Sequence, residues 1–178
     1  MPTDLTTVTI YTDGAASPNP GPGGYGVLLI RNGQRHELSD GFRKTTNNRM
    51  EILAAIVGLR ALAGVKSKVT IYSDSKYVVD MFMGGYAATW KRNNWHRTRK
   101  DRALNPDLWD ALLTESAFHE VHFTWIRGHA TTPENIRCDE LAVQARQAPA
   151  LPPDTGYENP QAPPTPQQPS LFDWPGDK

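Results

Sequence analysis

Two aspartates follow nearly identical apolar segments of the chain. Asp13 ends the segment VTIYTD at residues 8–13, and Asp74 ends the segment VTIYSD at residues 69–74. Both segments are rich in β-branched residues and therefore predict strands. If the two strands are parallel neighbours, their carboxylates emerge side by side at one sheet edge, and their repulsion raises the pKa of one of them. A divalent cation between them would remove this repulsion.

Two further carboxylates belong to predicted helices. Glu51 lies in the first two turns of a helix that begins near residue 47, and Asp139 lies on the last helix. The spacing of Ile136, Asp139 and Val143 places Asp139 on a face with apolar neighbours, where a carboxylate needs a partner. Four carboxylates without clustered Cys or His favour a hard cation such as Mg²⁺ or Mn²⁺.

Each of these carboxylates also has an ordinary structural interpretation, which the sequence leaves open. The alternatives are a turn at Asp13-Gly14, a capping box between Glu51 and Asn48, a helix cap at Asp74-Ser75, and ion pairs of Asp139 with Arg137 or Arg146. The repeated strand endings and the inward position of Asp139 favour the metal-binding interpretation of the four residues taken together.

The elements that would position these residues alternate between strand and helix patterns. Strands are predicted over 8–12, 25–30, 34–42, 69–73 and 121–126, and helices over 47–63, 75–82, 105–118 and 132–147. Asn32-Gly33 predicts a tight hairpin between the second and third strands. This order predicts an α/β fold with a mixed sheet, in which hairpins form the antiparallel part and helical crossovers the parallel part. Sites in such sheets lie beyond the carboxyl ends of the parallel strands.

The C-terminal segment has a different composition from the rest of the chain. Nine of the 15 prolines fall in residues 149–178, which predicts a disordered tail after a folded domain of residues 1–148. We find no apolar run of about 18 residues that would span a membrane and no export signal. The lone Cys138 cannot form an internal disulfide and is expected to be a small buried thiol. We therefore expect a cytoplasmic protein that is not bound to membranes.

The formal net charge is zero, but the basic residues are unevenly distributed. Residues 85–102 contain six basic residues against a single aspartate, with tryptophans interleaved between them. A basic run can be a solvated face of the protein, but interleaved aromatic residues favour nucleic-acid binding, because cations contact phosphates and rings pack against sugars.

Six stretches of the chain carry long motifs in a fixed order. They are TDGAASPNPGPGGYG (12–26), TTNNRMEILAAI (45–56), YSDSKYV (72–78), W followed by KRNNW (90–95), NPDLWDAL (105–112) and WIRGHATTPENIRCDELA (125–142). With these stretches the chain resembles the bacterial type 1 ribonuclease H family over roughly residues 6–157. The resemblance implies a ribonuclease H-like fold, with a five-stranded mixed sheet flanked by helices, and makes residues 1–148 the catalytic domain.

The resemblance also implies the reaction and its residues. It implies an endonuclease that hydrolyses the RNA strand of RNA–DNA hybrids with two Mg²⁺ ions, for which Mn²⁺ can substitute, leaving 5′-phosphate and 3′-hydroxyl ends. By position, Asp13 would bridge both ions, Asp139 would help to hold the ion that activates water, and Glu51 and Asp74 the ion at the leaving 3′-oxygen. His129 would assist proton transfer or product departure, because imidazole titrates near neutral pH.

The family's substrate contacts fall on two parts of this sequence. Positions matching contacts to the hybrid include Asn19 in the first Pro/Gly loop and Thr46, Asn47 and Asn48 at a helix N-terminus, where backbone N–H groups favour phosphate. The family's basic protrusion corresponds here to Tyr86, Trp90, Lys91, Arg92 and Trp95. The chain departs from the family at Lys76, usually Gln, at Tyr86, commonly Trp, and at Ala16, frequently Cys.

The end of the chain resembles a peptide that docks onto the bacterial replication sliding clamp. Gln168, Leu171 and Phe172 fit a QxxLF pattern on a Pro-rich tether, and two apolar anchors on a flexible tether suit binding in a groove. A purely solubilising tail is the alternative. We expect a monomer. Family resemblance implies removal of RNA primers and of stray transcript hybrids, and with it a part in DNA replication.

Two other functions are compatible with parts of this pattern. A junction resolvase or transposase-type nuclease of the same fold would cut DNA, but the stretch TTNNRME argues against it. A non-catalytic adaptor that binds hybrids would have lost at least one metal carboxylate, and none of the four is missing.

Overall fold

A single mixed sheet organises the part of the chain that the computed structural model describes, residues 4–128 and 132–160. The strands are β1 (Thr6–Ala16), β2 (Gly21–Arg31), β3 (Gln34–Thr45), β4 (Ser67–Ser73) and β5 (Glu120–Trp125). The helices are α1 (Asn47–Arg60), α2 (Lys76–Met83), α3 (Tyr86–Arg92), α4 (Pro106–Phe118), α5 (Pro133–Arg146) and α6 (Thr155–Glu158). The strand order is β3-β2-β1-β4-β5.

The two halves of the sheet follow the predicted division. Strands β1, β2 and β3 are antiparallel, while β4 lies parallel to both β1 and β5. Asn32 and Gly33 form the turn between β2 and β3, and both have positive φ, as the two-residue hairpin signal predicts. The predicted five-stranded mixed sheet is therefore confirmed.

Helices cover both faces of the sheet. Successive strand residues point to opposite faces, and on β2 a Cβ built on Gly26 would overlap the α5 backbone, whereas Val27 lies close to α1 at Gly58. Glycines at positions 24, 26 and 41 leave room for the α5 backbone directly against β2 and β3. The apolar core lies mainly between the sheet, α1 and α4, and it includes the fully buried Trp109.

Three elements differ from the sequence-based expectation, one of them the short α6 in the segment predicted to be a disordered tail. We predicted that the first strand ends at Asp13-Gly14, but β1 continues to Ala16 because β2 extends far enough to pair with it there. Helix α3 was not predicted, since the basic run hides a short apolar face formed by Ala87 and Trp90. No helix of the described ranges is both long and apolar enough to cross a membrane.

Residues 149–160 lie against the domain, which corrects the predicted tail boundary at residue 148. Asp154 is buried and accepts hydrogen bonds from the Arg49 guanidinium at 2.7 and 3.0 Å and from the Thr45 hydroxyl at 2.7 Å. Arg49 itself is only 3% exposed and also pairs with Asp107 at 2.7 Å. Because a buried guanidinium needs anionic partners, Arg49 anchors this proline-rich segment, which composition alone made look disordered.

We predict that Asp154→Ala destabilises the fold strongly. The substitution removes one of the two carboxylates that neutralise a buried arginine, so we expect a loss of about 3 kcal/mol in the free energy of unfolding, measured by urea denaturation. Glu158→Ala in the same segment removes only the exposed pair with Arg43 and should cost less than about 1 kcal/mol. Equal losses in the two variants would contradict this role for Arg49.

Candidate active site

The two repeated segments lie side by side in register. Val8 pairs with Val69 and each following residue pairs with its counterpart, as far as Thr12 with Ser73. The Tyr11 and Tyr72 rings stack with centroids 4.9 Å apart. Asp13 and Asp74 therefore lie side by side directly after the last parallel pair of β1 and β4, as predicted. Asp13 does not form a turn, because β1 continues past it to Ala16.

Glu51 reaches this sheet edge from helix α1. The hydroxyl of Thr46 caps the helix by accepting the Arg49 N–H at 3.2 Å, so Glu51 is not the second member of a capping box with Asn48. Gly14 makes the close approach of α1 possible, because a Cβ at this position would overlap the backbone of Met50 and Glu51. The buried Glu51 side chain consequently lies against Asp13.

Three of the four predicted carboxylates form one cluster. Asp13, Glu51 and Asp74 each offer an oxygen within 4.8 Å of the other two. They line a cleft of about 590 Å³ that opens between β1, β4 and the N-terminal parts of α1 and α5. Its remaining lining residues include Gly14, Ala15, Asn47, Asn48, Ser75, Asn135, Ile136 and Asp139.

Asp139 lines the same cleft, although it does not lie on a buried apolar face with Ile136, as the helical spacing predicts. The packed face of α5 consists of Asn135, Cys138, Leu141 and Ala142. Ile136, which we expected beside Asp139 in the core, is 46% exposed. Asp139 is half-buried at the edge of the packed face, and its alternative partner Arg137 pairs instead with Glu37 and Glu140.

The electrostatics of the cluster oppose full ionisation. Burial raises the pKa of Asp13 to about 7, with a further contribution from the negative charge of Asp74. Burial likewise raises the pKa of Glu51 well above its ordinary value, and the charges of Asp13 and Asp74 add to the effect. Neutralisation by protons or by a cation is therefore favourable at this cluster.

The donor set fits a hard divalent cation. The cluster offers only carboxylate oxygens, which are the ligands that Mg²⁺ and Mn²⁺ prefer. One buried oxygen of Glu51, Oε2, has no hydrogen-bond partner within the described part of the chain. A buried carboxylate oxygen without a donor is costly, and a cation at this position would satisfy it.

Two residues that the sequence did not indicate, Trp125 and Gly128, lie beside Asp74. The Trp125 indole N–H donates to the backbone carbonyl of Asp74 at 3.1 Å, while 47% of the Trp125 surface stays exposed. A Cβ built on Gly128 would lie 3.0 Å from an Asp74 carboxylate oxygen. Both follow from the parallel neighbour β5, whose pairing partner could not be deduced from its own sequence.

Two of the residues expected to contact nucleic acid near α1 line the cleft, and a third is hydrogen-bonded to one of them. Asn47 and Asn48 line it, and the Asn47 side-chain oxygen accepts the Ala16 N–H at 2.6 Å. Asn19 approaches from the β1–β2 loop, where its side-chain oxygen accepts the Asn47 N–H at 3.2 Å. Thr46, rather than Asn47 or Asn48, caps α1, and the Asn47 and Asn19 side chains connect the start of this helix to β1 and to the β1–β2 loop. Contact of these residues with nucleic acid stays a prediction.

The basic segment is only partly available for binding. Tyr86 is exposed, but Trp90 is buried and packs edge-on against Trp109, which corrects its assignment as a substrate contact. Its position one turn after Ala87 on α3 directs it into the core. Trp95 is half-buried against the core, Lys91 pairs with Asp110 at 2.8 Å, and the exposed Arg92 donates to the Thr89 hydroxyl.

Four of the predicted residues lie outside the described ranges. His129 and the tail residues Gln168, Leu171 and Phe172 fall outside residues 4–128 and 132–160, so their roles stay predictions.

The single cysteine is not part of the carboxylate cluster. Cys138 is fully buried, its thiol donates to the Tyr11 carbonyl at 3.3 Å, and burial raises the pKa of this thiol. This agrees with the expected inert thiol.

Comparison with known sequences finds a consistent set of relatives. The family model described as RNase H matches residues 5–147. A ribonuclease H of Trichodesmium erythraeum is 54% identical over 153 residues, which cover 86% of this chain and 97% of the relative. A ribonuclease H of Desulforamulus reducens is 57% identical over 152 residues, which cover 85% and 95% of the two chains.

Solved structures with the same fold carry related names. The crystal structure of LC9-RNase H1, described as a type 1 RNase H with the type 2 active-site motif, superposes with a TM-score of 0.71 at 30% identity, covering 82% of this chain and 74% of the other. LC11-RNase H1, solved in complex with an RNA/DNA hybrid, superposes with a TM-score of 0.61 at 26% identity, covering 78% and 95%.

We predict that Gly14→Ala weakens cation binding by separating Glu51 from Asp13. The added methyl group has to displace the α1 backbone, so calorimetric titration should show at least about tenfold weaker Mg²⁺ binding and a stability loss of about 1–3 kcal/mol. Gly33→Ala is the matched control, because it strains a positive-φ turn away from the cleft and should lower stability alone. Unchanged Mg²⁺ affinity in Gly14→Ala would contradict the predicted displacement.

We also predict a pH-dependent stabilisation by Asp13→Asn in the presence of a chelator. Because the pKa of Asp13 is raised in the folded state, its carboxyl contributes stability below about pH 4 that is lost as the pH rises through about 7. The variant escapes this loss, so its melting temperature should exceed that of the wild type by several degrees at pH 8 and by less at pH 5. Scanning calorimetry would refute this if the difference were the same at both pH values.

Proposed function

The chain belongs to the ribonuclease H family, and from this premise we propose that it hydrolyses the RNA strand of RNA–DNA hybrids by two-metal-ion catalysis. The products would carry 5′-phosphate and 3′-hydroxyl ends. As a ribonuclease H, the protein is a hydrolase acting on nucleic acids. The observation that carries the mechanistic proposal is the cluster of Asp13, Glu51 and Asp74 oxygens within 4.8 Å, with Asp139 in the same cleft.

Each carboxylate has a place in the proposed mechanism. Asp13 is buried between the others and would be shared by both ions, Glu51 and Asp74 would hold the ion at the leaving oxygen, and Asp139 would help to hold the ion at the attacking water. Two such ions would neutralise the scissile phosphate and lower the pKa of the attacking water. The chain carries these side chains on β1, α1 and α5 and on the residue directly after β4, so little rearrangement is needed before reaction.

Recognition of the hybrid is assigned to the N-terminus of α1 and to the loop before β2. Asn47 and Asn48 line the cleft beside the carboxylates, and Asn19 is tied to this helix end. An enzyme for hybrids has to sense 2′-hydroxyls on one strand only, and side-chain amides can donate to and accept from these groups. LC11-RNase H1, which was solved in complex with an RNA/DNA hybrid, supports hybrid binding in general, and the residues that make the contacts here are part of our proposal.

Several predictions from the sequence are tested neither by the carboxylate cluster nor by membership of the family. Mg²⁺ as the cellular ion, the proton-transfer role of His129, a cytoplasmic location and a part in DNA replication remain predictions. So do a monomeric state and clamp binding through the tail. The competing activity, cleavage of DNA duplexes or junctions, loses support because relatives at 54–57% identity are named ribonuclease H.

We predict strand-specific cleavage of a hybrid in an assay with separately labelled strands. Mg²⁺ or Mn²⁺ should give cut RNA with 5′-phosphates, because these ends follow from water attacking the phosphorus with departure of the 3′-oxygen. A chelator or Asp13→Asn should abolish cutting, while the DNA strand and a matched all-DNA duplex should stay intact. Cleavage of the all-DNA duplex at a similar rate would overturn the proposed substrate, and cleavage in chelator would overturn the metal requirement.

We predict that the basic side chains of residues 85–102 contribute unequally to hybrid binding. The double variant Arg92→Gln/Arg97→Gln should weaken hybrid binding and flatten its salt dependence by about one unit of slope per lost phosphate contact. Lys91→Gln should have a smaller effect, because Lys91 already pairs with Asp110. Hybrid binding is measured by fluorescence anisotropy over a series of salt concentrations. An unchanged dependence of the binding constant on salt in the double variant would exclude these phosphate contacts.

A further inference from the structure

Asn135 is a buried side chain of the cleft that the proposed mechanism does not use. It lies on α5 one turn before Asp139, it is 2% exposed, and it lines the same cleft. Its side-chain oxygen Oδ1 has no hydrogen-bond partner among residues 4–128 and 132–160. A buried amide oxygen without a donor costs about 1–3 kcal/mol, so its presence beside the carboxylates needs a physical reason.

The described part of the chain provides no donor for this oxygen. Two other amides near the cleft are engaged, since the Asn47 oxygen accepts the Ala16 N–H and the Asn19 oxygen accepts the Asn47 N–H, while Asn48 is exposed. The unsatisfied oxygen of Asn135 accepts none of the N–H groups at the start of α5. Within the described ranges no donor reaches the Asn135 oxygen, and the neighbouring carboxylates offer only acceptors when they are ionised.

We propose that Asn135 holds a hydrated divalent cation in the cleft, its amide oxygen accepting a hydrogen bond from the ion's hydration shell on the Asp139 side. Mg²⁺ gives up its waters reluctantly and usually keeps several of them in protein sites. Those waters are donors, which the Asn135 oxygen requires. Asn135 is thus a positioning residue that acts through water, and this inference rests on the metal site of the proposed function.

The test measures cation binding by the full chain without nucleic acid. Calorimetric titrations use Mg²⁺ and, separately, hexaamminecobalt(III), an inert cation that presents only N–H donors and cannot be bound directly by a carboxylate oxygen. Asn135→Leu keeps a similar volume without the amide, and Asn135→Asp keeps an acceptor. Gln144→Ala removes an exposed amide from the same helix and serves as the matched control, while Asp13→Asn tests the site itself.

Asn135→Leu should bind both cations about tenfold more weakly, without a lower melting temperature, because it removes an unsatisfied polar atom. Asn135→Asp and Gln144→Ala should retain cation binding. Unchanged cation affinity in a folded Asn135→Leu protein would overturn the proposal, as would weaker hybrid binding with cation affinity intact. If Asn135→Leu does not fold, unchanged affinity in Asn135→Ala is equally decisive. Wild-type affinity in Asp13→Asn would instead refute the metal site, which separates the two failures.

Discussion

Mutual repulsion between buried carboxylates is the constraint around which this structure is arranged. Asp13, Glu51 and Asp74 bring oxygens within 4.8 Å of one another in a largely buried position, where like charges interact more strongly than in water. Desolvation and this repulsion raise the pKa of Asp13 and of Glu51. A fold that keeps such a cluster gains stability from any cation that binds there, so metal binding and folding are coupled.

Close backbone packing holds the cluster together against this repulsion. Gly14 admits the α1 backbone directly beside Asp13, and the glycines on β2 and β3 admit α5 against the opposite face of the sheet. The in-register pairing of β1 with β4 determines where Asp13 and Asp74 emerge. Main-chain contacts of this kind are less compliant than side-chain contacts, which suits a site whose geometry has to be in place before the substrate arrives.

A second charge cluster supports the helix that carries Glu51. Arg49, two residues before Glu51, is buried between Asp107 of α4 and Asp154 of the C-terminal segment. Three separate parts of the chain therefore meet at the start of α1, next to the asparagines that line the cleft. The charges of Arg49, Asp107 and Asp154 attract one another and stabilise α1. The same helix contributes Glu51 to the carboxylate cluster, in which like charges repel.

The sequence by itself determined the order of the five strands and of helices α1, α2, α4 and α5, the hairpin at Asn32-Gly33 and the four acidic residues of the site. These features depend on local pattern, turn chemistry and long motifs. Only the tertiary structure decided where Asp139 lies relative to the packed face of α5, that Trp90 belongs to the core, and that residues 149–160 are held against the domain. It also revealed Asn135 and the Trp125 contact to Asp74. Each of these features depends on which sequence-distant segment packs against the residue in the fold. The residues adjacent to it in the sequence do not determine that contact.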